Sequence, residues 1–295
     1  MVKINSKTKF NPMKPIIYIL TTIAVAVAYT QPNTEIYLFD LDKNANGEYT
    51  ISSPLNISEN EGYDNQPSFW PDGKSIVYAR TADNQTEIAR YFIGTGKTKL
   101  ITNTLQGSEY SPTPTPDGRI SSIRLDTTGL QLLYSYGLDG TPEVLVDDLV
   151  IGYHSWISEE EIITFVLGEP NTLQYINLKS KKIEILAENI GRSLHKIPDS
   201  KSFSYLDKSG DDWIIKARNI KKNKAQEVAR VKEGSEDYCW TPDKDIIMGQ
   251  GSMIWSWNYQ TGWREVFDLK NYGLEGITRV AISPQGDQLA LVVNK

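Results

Sequence analysis

A turn signal returns along this chain at nearly even intervals. Trp70-Pro71-Asp72-Gly73 is the first copy and Thr115-Pro116-Asp117-Gly118 the second. Weaker copies stand at Ile197-Pro198-Asp199-Ser200, Trp240-Thr241-Pro242-Asp243-Lys244 and Ile282-Ser283-Pro284-Gln285-Gly286. Trp156-Ile157-Ser158-Glu159 is a copy that has lost its proline. Measured between Pro71, Pro116, Ser158, Pro198, Pro242 and Pro284, the spacings are 45, 42, 40, 44 and 42. Each copy is a turn for a physical reason. Proline presets φ at the first central position, aspartate bonds its own backbone, and glycine accepts left-handed geometry. A period of this length marks a repeat architecture.

Short strands fill the space between turns. One follows each turn directly: Ser75–Ala79, Ile120–Arg124, Glu161–Val166, Ser202–Leu206, Asp245–Met248 and Gln288–Val293. An alternating strand comes next, as in Glu35–Phe39, Glu87–Phe92 and Gln131–Tyr136, and then a fourth, as in Tyr49–Ser52, Lys99–Thr102 and Glu143–Val146. Four short strands per period, with no amphipathic helix, describe one propeller blade. Six turns predict an all-β, six-bladed β-propeller with four antiparallel strands per blade. The chain opens with an outer pair (residues 35–52) and ends with an inner pair (residues 280–293). Pairing them in one blade closes the ring and removes the open edges of a linear array. Residues 29–295 are therefore expected to be one domain.

The stretch Phe69-Trp70-Pro71-Asp72-Gly73-Lys74-Ser75-Ile76-Val77-Tyr78-Ala79 resembles the repeat of TolB-like six-bladed propellers, a WD40-like repeat type. Glu35-Ile36-Tyr37-Leu38-Phe39-Asp40-Leu41-Asp42 resembles that family's outer strand. The resemblance runs over nearly all of residues 33–295, strongest in the first two repeats. It implies an envelope or periplasmic protein that works by binding other molecules.

Residues 1–28 differ from the rest. Lys3, Lys7, Lys9 and Lys14 precede any acid, the first being Glu35, and Ile16 to Ala28 carries no charge. A basic start, a short apolar run and the small residues of Ala24-Val25-Ala26-Val27-Ala28 are the marks of a secretory signal peptide. That apolar run is too short to span a bilayer core, which takes about 20 residues. A retained signal anchor is the alternative. No cysteine lies near the cleavage site, which excludes a lipoprotein anchor. The expectation is a periplasmic or secreted protein with no stable membrane insertion after cleavage. A net charge of −6 excludes the basic footprint of a nucleic-acid binder. One Cys and two His rule out a disulfide framework and leave little room for histidine-rich metal chemistry.

Loops entering the innermost strands ring one mouth of a propeller channel, and a rigid scaffold carries its sites on such loops. The entering segments supply Asp64, Asn65, Glu109, Tyr110, Tyr153, His154, Arg192, Glu236, Asp237, Tyr238 and Arg279 as candidate site residues. Arg192 and Arg279 suit a carboxylate or phosphate. Tyr63, Tyr110, Tyr153 and Tyr238 offer flat amphipathic surface to a peptide or sugar. Mutual pairing of these arginines and acids across the channel is the alternative. His195 and Cys239 read as packing.

No G-x-S-x-G elbow, H-E-x-x-H or Walker loop is present. Asp40-Leu41-Asp42-Lys43-Asn44-Ala45-Asn46-Gly47 imitates half a calcium loop, yet its twelfth position from Asp42 is Ser53 rather than glutamate. A plain hairpin turn is the preferred reading. Trp255, Trp257 and Trp263 are expected to pack between blades. The sequence thus predicts a non-enzymatic scaffold for an envelope protein or peptide, with no metal or cofactor and an oligomeric state left open. Two other classes stay in view: a metal-dependent hydrolase or lyase using Asp64, Glu109, His154 and Glu236, and a glycan-binding accessory module.

Overall fold

The computed structural model describes residues 31–83, 85–222 and 224–295. The expected signal peptide, residues 1–28, lies outside the described residues. The remainder forms six four-stranded antiparallel sheets. Numbered in chain order, the first five blades span Asn65–Leu100, Gly107–Val146, Ile151–Glu188, Ile190–Arg230 and Tyr238–Asp268. The sixth blade is the predicted closure. From the outside inward it runs Tyr49–Asn56, Thr34–Lys43, Gln288–Asn294 and Arg279–Ile282, so two strands come from each end of the chain. Thr34 to Asp40 pair in unbroken register with Asn294 to Gln288.

The turn signals recur as one hydrogen-bond motif. In the first, second, fifth and sixth copies, the glycine-position N–H bonds the carbonyl three positions back: Gly73 to Trp70, Gly118 to Thr115, Lys244 to Thr241 and Gly286 to Ser283. That position has φ of 72°, 84°, 67° and 78° respectively, the left-handed region that favours glycine. Of these four, only Lys244 occupies it with a side chain.

The core is divided among the seams between blades. Strand alternation sends neighbouring side chains to opposite seams. In blade 5, Ile246 and Met248 pack toward blade 4, whereas Ile247 packs toward the closing blade. In blade 1, Ile76 and Tyr78 face the closing blade while Val77 faces blade 2. Six hydrophobic clusters fall one to each seam. Burial of both faces explains the continuous apolar runs Ile246–Met248 and Leu289–Val293.

The calcium-like string is a hairpin turn. Asn44 Oδ1 accepts from the Asn46 and Glu48 N–H groups at 2.9 and 3.0 Å, and Gly47 sits at φ 77°. Trp257 packs in the cluster between blades 4 and 5 with Trp263 against it, and the Trp263 indole donates to the Arg230 carbonyl at 2.8 Å. Lys232 Nζ lies 3.4 Å over the Trp255 ring. Cys239 is buried, which pushes its thiol pKa up.

Candidate functional site

The six innermost strands converge on a channel, and a cavity of about 250 Å³ opens at the end where they begin. Tyr153, His154, Arg192, Asp237, Tyr238 and Arg279, all on the predicted ring, line it. Tyr110 stands at the rim against Tyr63, with ring centroids 6.1 Å apart in an edge arrangement. Burial pushes the Tyr63 hydroxyl pKa up, opposed by the charge of Arg279.

An ion triad dominates the mouth. Arg192 grips Asp237 through both fork nitrogens, Nε to Oδ1 at 3.2 Å and Nη2 to Oδ2. Arg279 Nη1 reaches the same Oδ2 at 3.2 Å and the Thr278 carbonyl at 2.7 Å. Burial opposes the charge on Arg192, but Asp237 and Glu236 beside it hold its pKa above the ordinary value. The pairing that the sequence left as an alternative is thus present, though two guanidinium groups share one carboxylate.

The remaining ring residues turn away from the channel. Asp64 and Asn65 are buried at the seam with the closing blade, where Thr34 Oγ1 donates to the Asp64 carbonyl and accepts from the Asn65 amide. Burial raises the Asp64 pKa to about 6, against the opposing charge of Arg80. Glu109 is fully buried beside Glu87 of blade 1; its Oε1 accepts from Thr104 at 2.7 Å and Tyr136 at 2.9 Å. Burial, with Glu87 adding to it, raises its pKa to about 7. Glu236 pairs with Lys208, whose ammonium lies 3.8 Å over Trp213. It lines a separate 370 Å³ pocket that shares Arg192. Asp64, Glu109, His154 and Glu236 are therefore not brought together. Among the described residues, no three His, Cys, Asp or Glu side chains form a group able to hold a metal ion.

The two histidines line the cavity in neutral form. Burial lowers the pKa of each to about 4. His154 Nε2 lies 2.7 Å from Ser121 Oγ, a contact that imitates a catalytic dyad. Ser121 is fully buried, receives the Trp156 indole N–H at 2.8 Å and donates to the Thr113 carbonyl. A substrate cannot reach it. The same arrangement recurs two blades on, where Ser204 Oγ receives Tyr238 OH at 2.9 Å and Trp240 Nε1 at 2.8 Å. His154 thus fills the slot that Tyr238 fills two repeats further along the chain.

Sequence reasoning passed over Gln66, Ser111 and His195 as site residues, and all three line the cavity. Gln66 Oε1 accepts the Ser111 N–H at 2.7 Å and so ties blade 1 to blade 2. The signal was available: Gln66 and Ser111 stand at the same separation as Pro71 and Pro116.

This geometry can be set beside known structures. A structure assigned as TolB from Agrobacterium tumefaciens superposes with a TM-score of 0.70 at 12% identity, covering 90% of this chain and 99% of that one. The chain has the TolB-like six-bladed propeller fold. Likeness extends to enzymes as well. A gluconolactonase from Xanthomonas campestris matches with a TM-score of 0.63 at 9% identity over 91% of this chain and 99% of that one. An oligogalacturonate lyase from Vibrio parahaemolyticus gives 0.57 at 12% identity over 90% and 97%. No protein-family model and no curated protein matches the chain. At these identities the likeness carries the fold alone, and function has to be argued from the site.

Proposed function

We propose that this protein is an exported propeller of the cell envelope, periplasmic or secreted, that holds a protein or peptide partner at its channel mouth without transforming it. The leader-like features of residues 1–28 and the likeness to TolB support the export half of this reading. The observation that carries the binding half is the rim itself. Tyr153 lies under the Arg279 guanidinium and Tyr110 stands at the rim, backed by the buried Tyr63; tyrosine and arginine are residue types that dominate interface energetics. A chemical role has less support. The cavity histidines are neutral, the Ser–His contact is buried, and of the acids a metal-dependent hydrolase needs, Asp64 and Glu109 are buried at the seams while Glu236 pairs with Lys208. The tryptophans that a glycan platform needs are engaged between blades or with Lys232.

The test is capture of partners from the native envelope by the tagged, exported chain, compared with a Tyr110→Ala/Tyr153→Ala variant. The expected outcome is a reproducible partner whose affinity falls about 30-fold or more in the variant, the effect of truncating one interface anchor. Intact-mass analysis should place the mature N-terminus near Tyr29. Retention of the partner by the variant, with its fold intact by circular dichroism, overturns the rim as the binding surface.

A further inference from the structure

The charges lining the 250 Å³ cavity do not balance. Arg192, Arg279 and Asp237 are the charged side chains on its wall, and they sum to one excess positive charge. Glu236, 3.9 Å from Arg192 Nε, does not correct this, because it also pairs with Lys208 and so brings one more positive charge with its negative one. Arg279 also has unused donor capacity: its Nη2 has only a 3.5 Å contact with the Tyr153 hydroxyl. An excess guanidinium charge in a partly closed site, within a chain of net charge −6, calls for an anion.

A second observation is independent of charge. Ser111 Oγ, His154 Nδ1 and His195 Nε2 are buried, have no hydrogen-bond partner among the described residues, and belong to residues on the wall of this cavity. They come from blades 2, 3 and 4, so the polar face is assembled by tertiary structure. His154 is more than nine-tenths buried. Its Nε2 is taken by Ser121, which leaves Nδ1 for something in the cavity. Buried polar atoms are ordinarily satisfied, and those that are not mark water or a ligand. Ser111 adds strain: its φ of 53° is left-handed, within a strand whose register shifts there. Non-glycine residues in this region cluster at functional sites.

We propose that this cavity binds one carboxylate group, which meets Arg279 while hydroxyl or amide groups next to it hydrogen-bond with Ser111, His154 and His195. A monoanion matches the single excess charge, whereas a dianion leaves an excess of the opposite sign. A cavity of about 250 Å³ admits a small hydroxy acid or one chain-terminal residue. The inference goes beyond the scaffold reading. A propeller with no protein partner can still bind a free acid, and a rim that holds a partner can lie over an empty cavity.

Calorimetry and NMR titration of the exported protein decide the matter with four probes: lactate, gluconate, acetyl-Gly-Ala with a free carboxylate, and its carboxamide. The expected result is saturable binding of at least one carboxylate, weakened by salt. The carboxamide should bind at least about tenfold more weakly, as loss of a charge-assisted hydrogen bond predicts. Arg279→Gln should lose the same factor while Arg192 keeps Asp237 paired. Ser111→Gly supplies a control against misfolding: glycine adopts the φ of position 111 without strain, so thermal stability should hold or rise while affinity falls several-fold. Preference for the free acids identifies a soluble metabolite as the source, and preference for the peptide identifies a chain terminus. The proposal is overturned if no carboxylate binds at roughly 10 mM. Equal binding of acid and amide, or unchanged affinity in both variants, overturns it as well.

Discussion

The buried titratable residues pull stability in opposite directions as pH changes. His154 and His195 have folded pKa values near 4 against 6.5 when free, so acidification through that window favours the unfolded chain, which binds the protons more readily. Asp64 and Glu109 do the reverse. Their folded values near 6 and 7 lie above the free values of 3.8 and 4.5, so the stability they lend is present below about pH 4 and lost as pH rises to 7. The two pairs overlap between pH 4 and 7 and flatten each other's slope. Glu109→Gln separates them, because glutamine mimics the protonated carboxyl facing Glu87 and keeps an acceptor for Thr104 and Tyr136. In urea unfolding at pH 8 the variant should gain on the order of 2–3 kcal/mol, with no gain at pH 4.5. Its stability should fall steadily from about pH 6.5 to about 4, where the parent stays nearly level. An equal gain at both pH values would show instead that Glu109 titrates alike in the folded and unfolded chain.

Within a blade, turns were legible in the sequence and side-chain directions at the ring were not. Each turn needs particular residue types at fixed offsets, so Pro71 and Pro116 announce themselves, and strand count follows from the spacing. Direction depends on an unbroken alternation, and the innermost strands break it. Register shifts fall between Asn65 and Ser68, Tyr110 and Thr113, Ile151 and Tyr153, and Ile190 and Leu194. An extra residue turns the side chains beyond it to the other face. That is why alignment on the anchors found the right segments but chose Asn65 and Glu109 where the cavity presents Gln66 and Ser111. The turns themselves yield a prediction. Lys244 holds φ 67° where three sister copies carry glycine, and it is exposed. Lys244→Gly relieves left-handed strain at a smaller cost in unfolded-chain entropy. The net gain should be about 0.5–1 kcal/mol, read as a higher urea midpoint at unchanged slope. Asp199, at φ 48° in the fourth copy, offers the same relief.

At the scale of the whole ring, stability depends on a seam that joins the two ends of the chain. Thr34–Lys43 completes a sheet begun by Gln288–Asn294, and no other described strand can take its place beside them. Side chains also hold the N-terminal strand pair, to blade 5 at one end and to the C-terminus at the other. Lys43 Nζ reaches Asp243 and Asp245 of blade 5 at 2.9 and 2.8 Å, and Tyr49 OH donates to Asp245 at 2.9 Å. At the other end, Lys295 Nζ lies 2.7 Å from Glu35. Removal of residues 288–295 should therefore cost far more than one strand. It strips Leu289, Leu291 and Val293 from one seam and Ala290 and Val292 from the next, and it exposes two unpaired edges. The truncated chain should show no cooperative unfolding transition and should run as aggregate on size exclusion. The closure is a matter of pairing rather than of where the chain begins, which a permutant separates from simple loss of residues. Lys295 N already bonds the Asn33 carbonyl at 3.1 Å, so a short turn can join them, with new ends cut between the turn residues Leu105 and Gln106. That molecule keeps every strand of residues 33–295 and converts the seam into a covalent hairpin. It should unfold in one transition at or above the parent midpoint, because the seam no longer opens from free ends. A permutant that folds no better than the truncation would mean that the N-terminal strand must dock last, onto a ring already built.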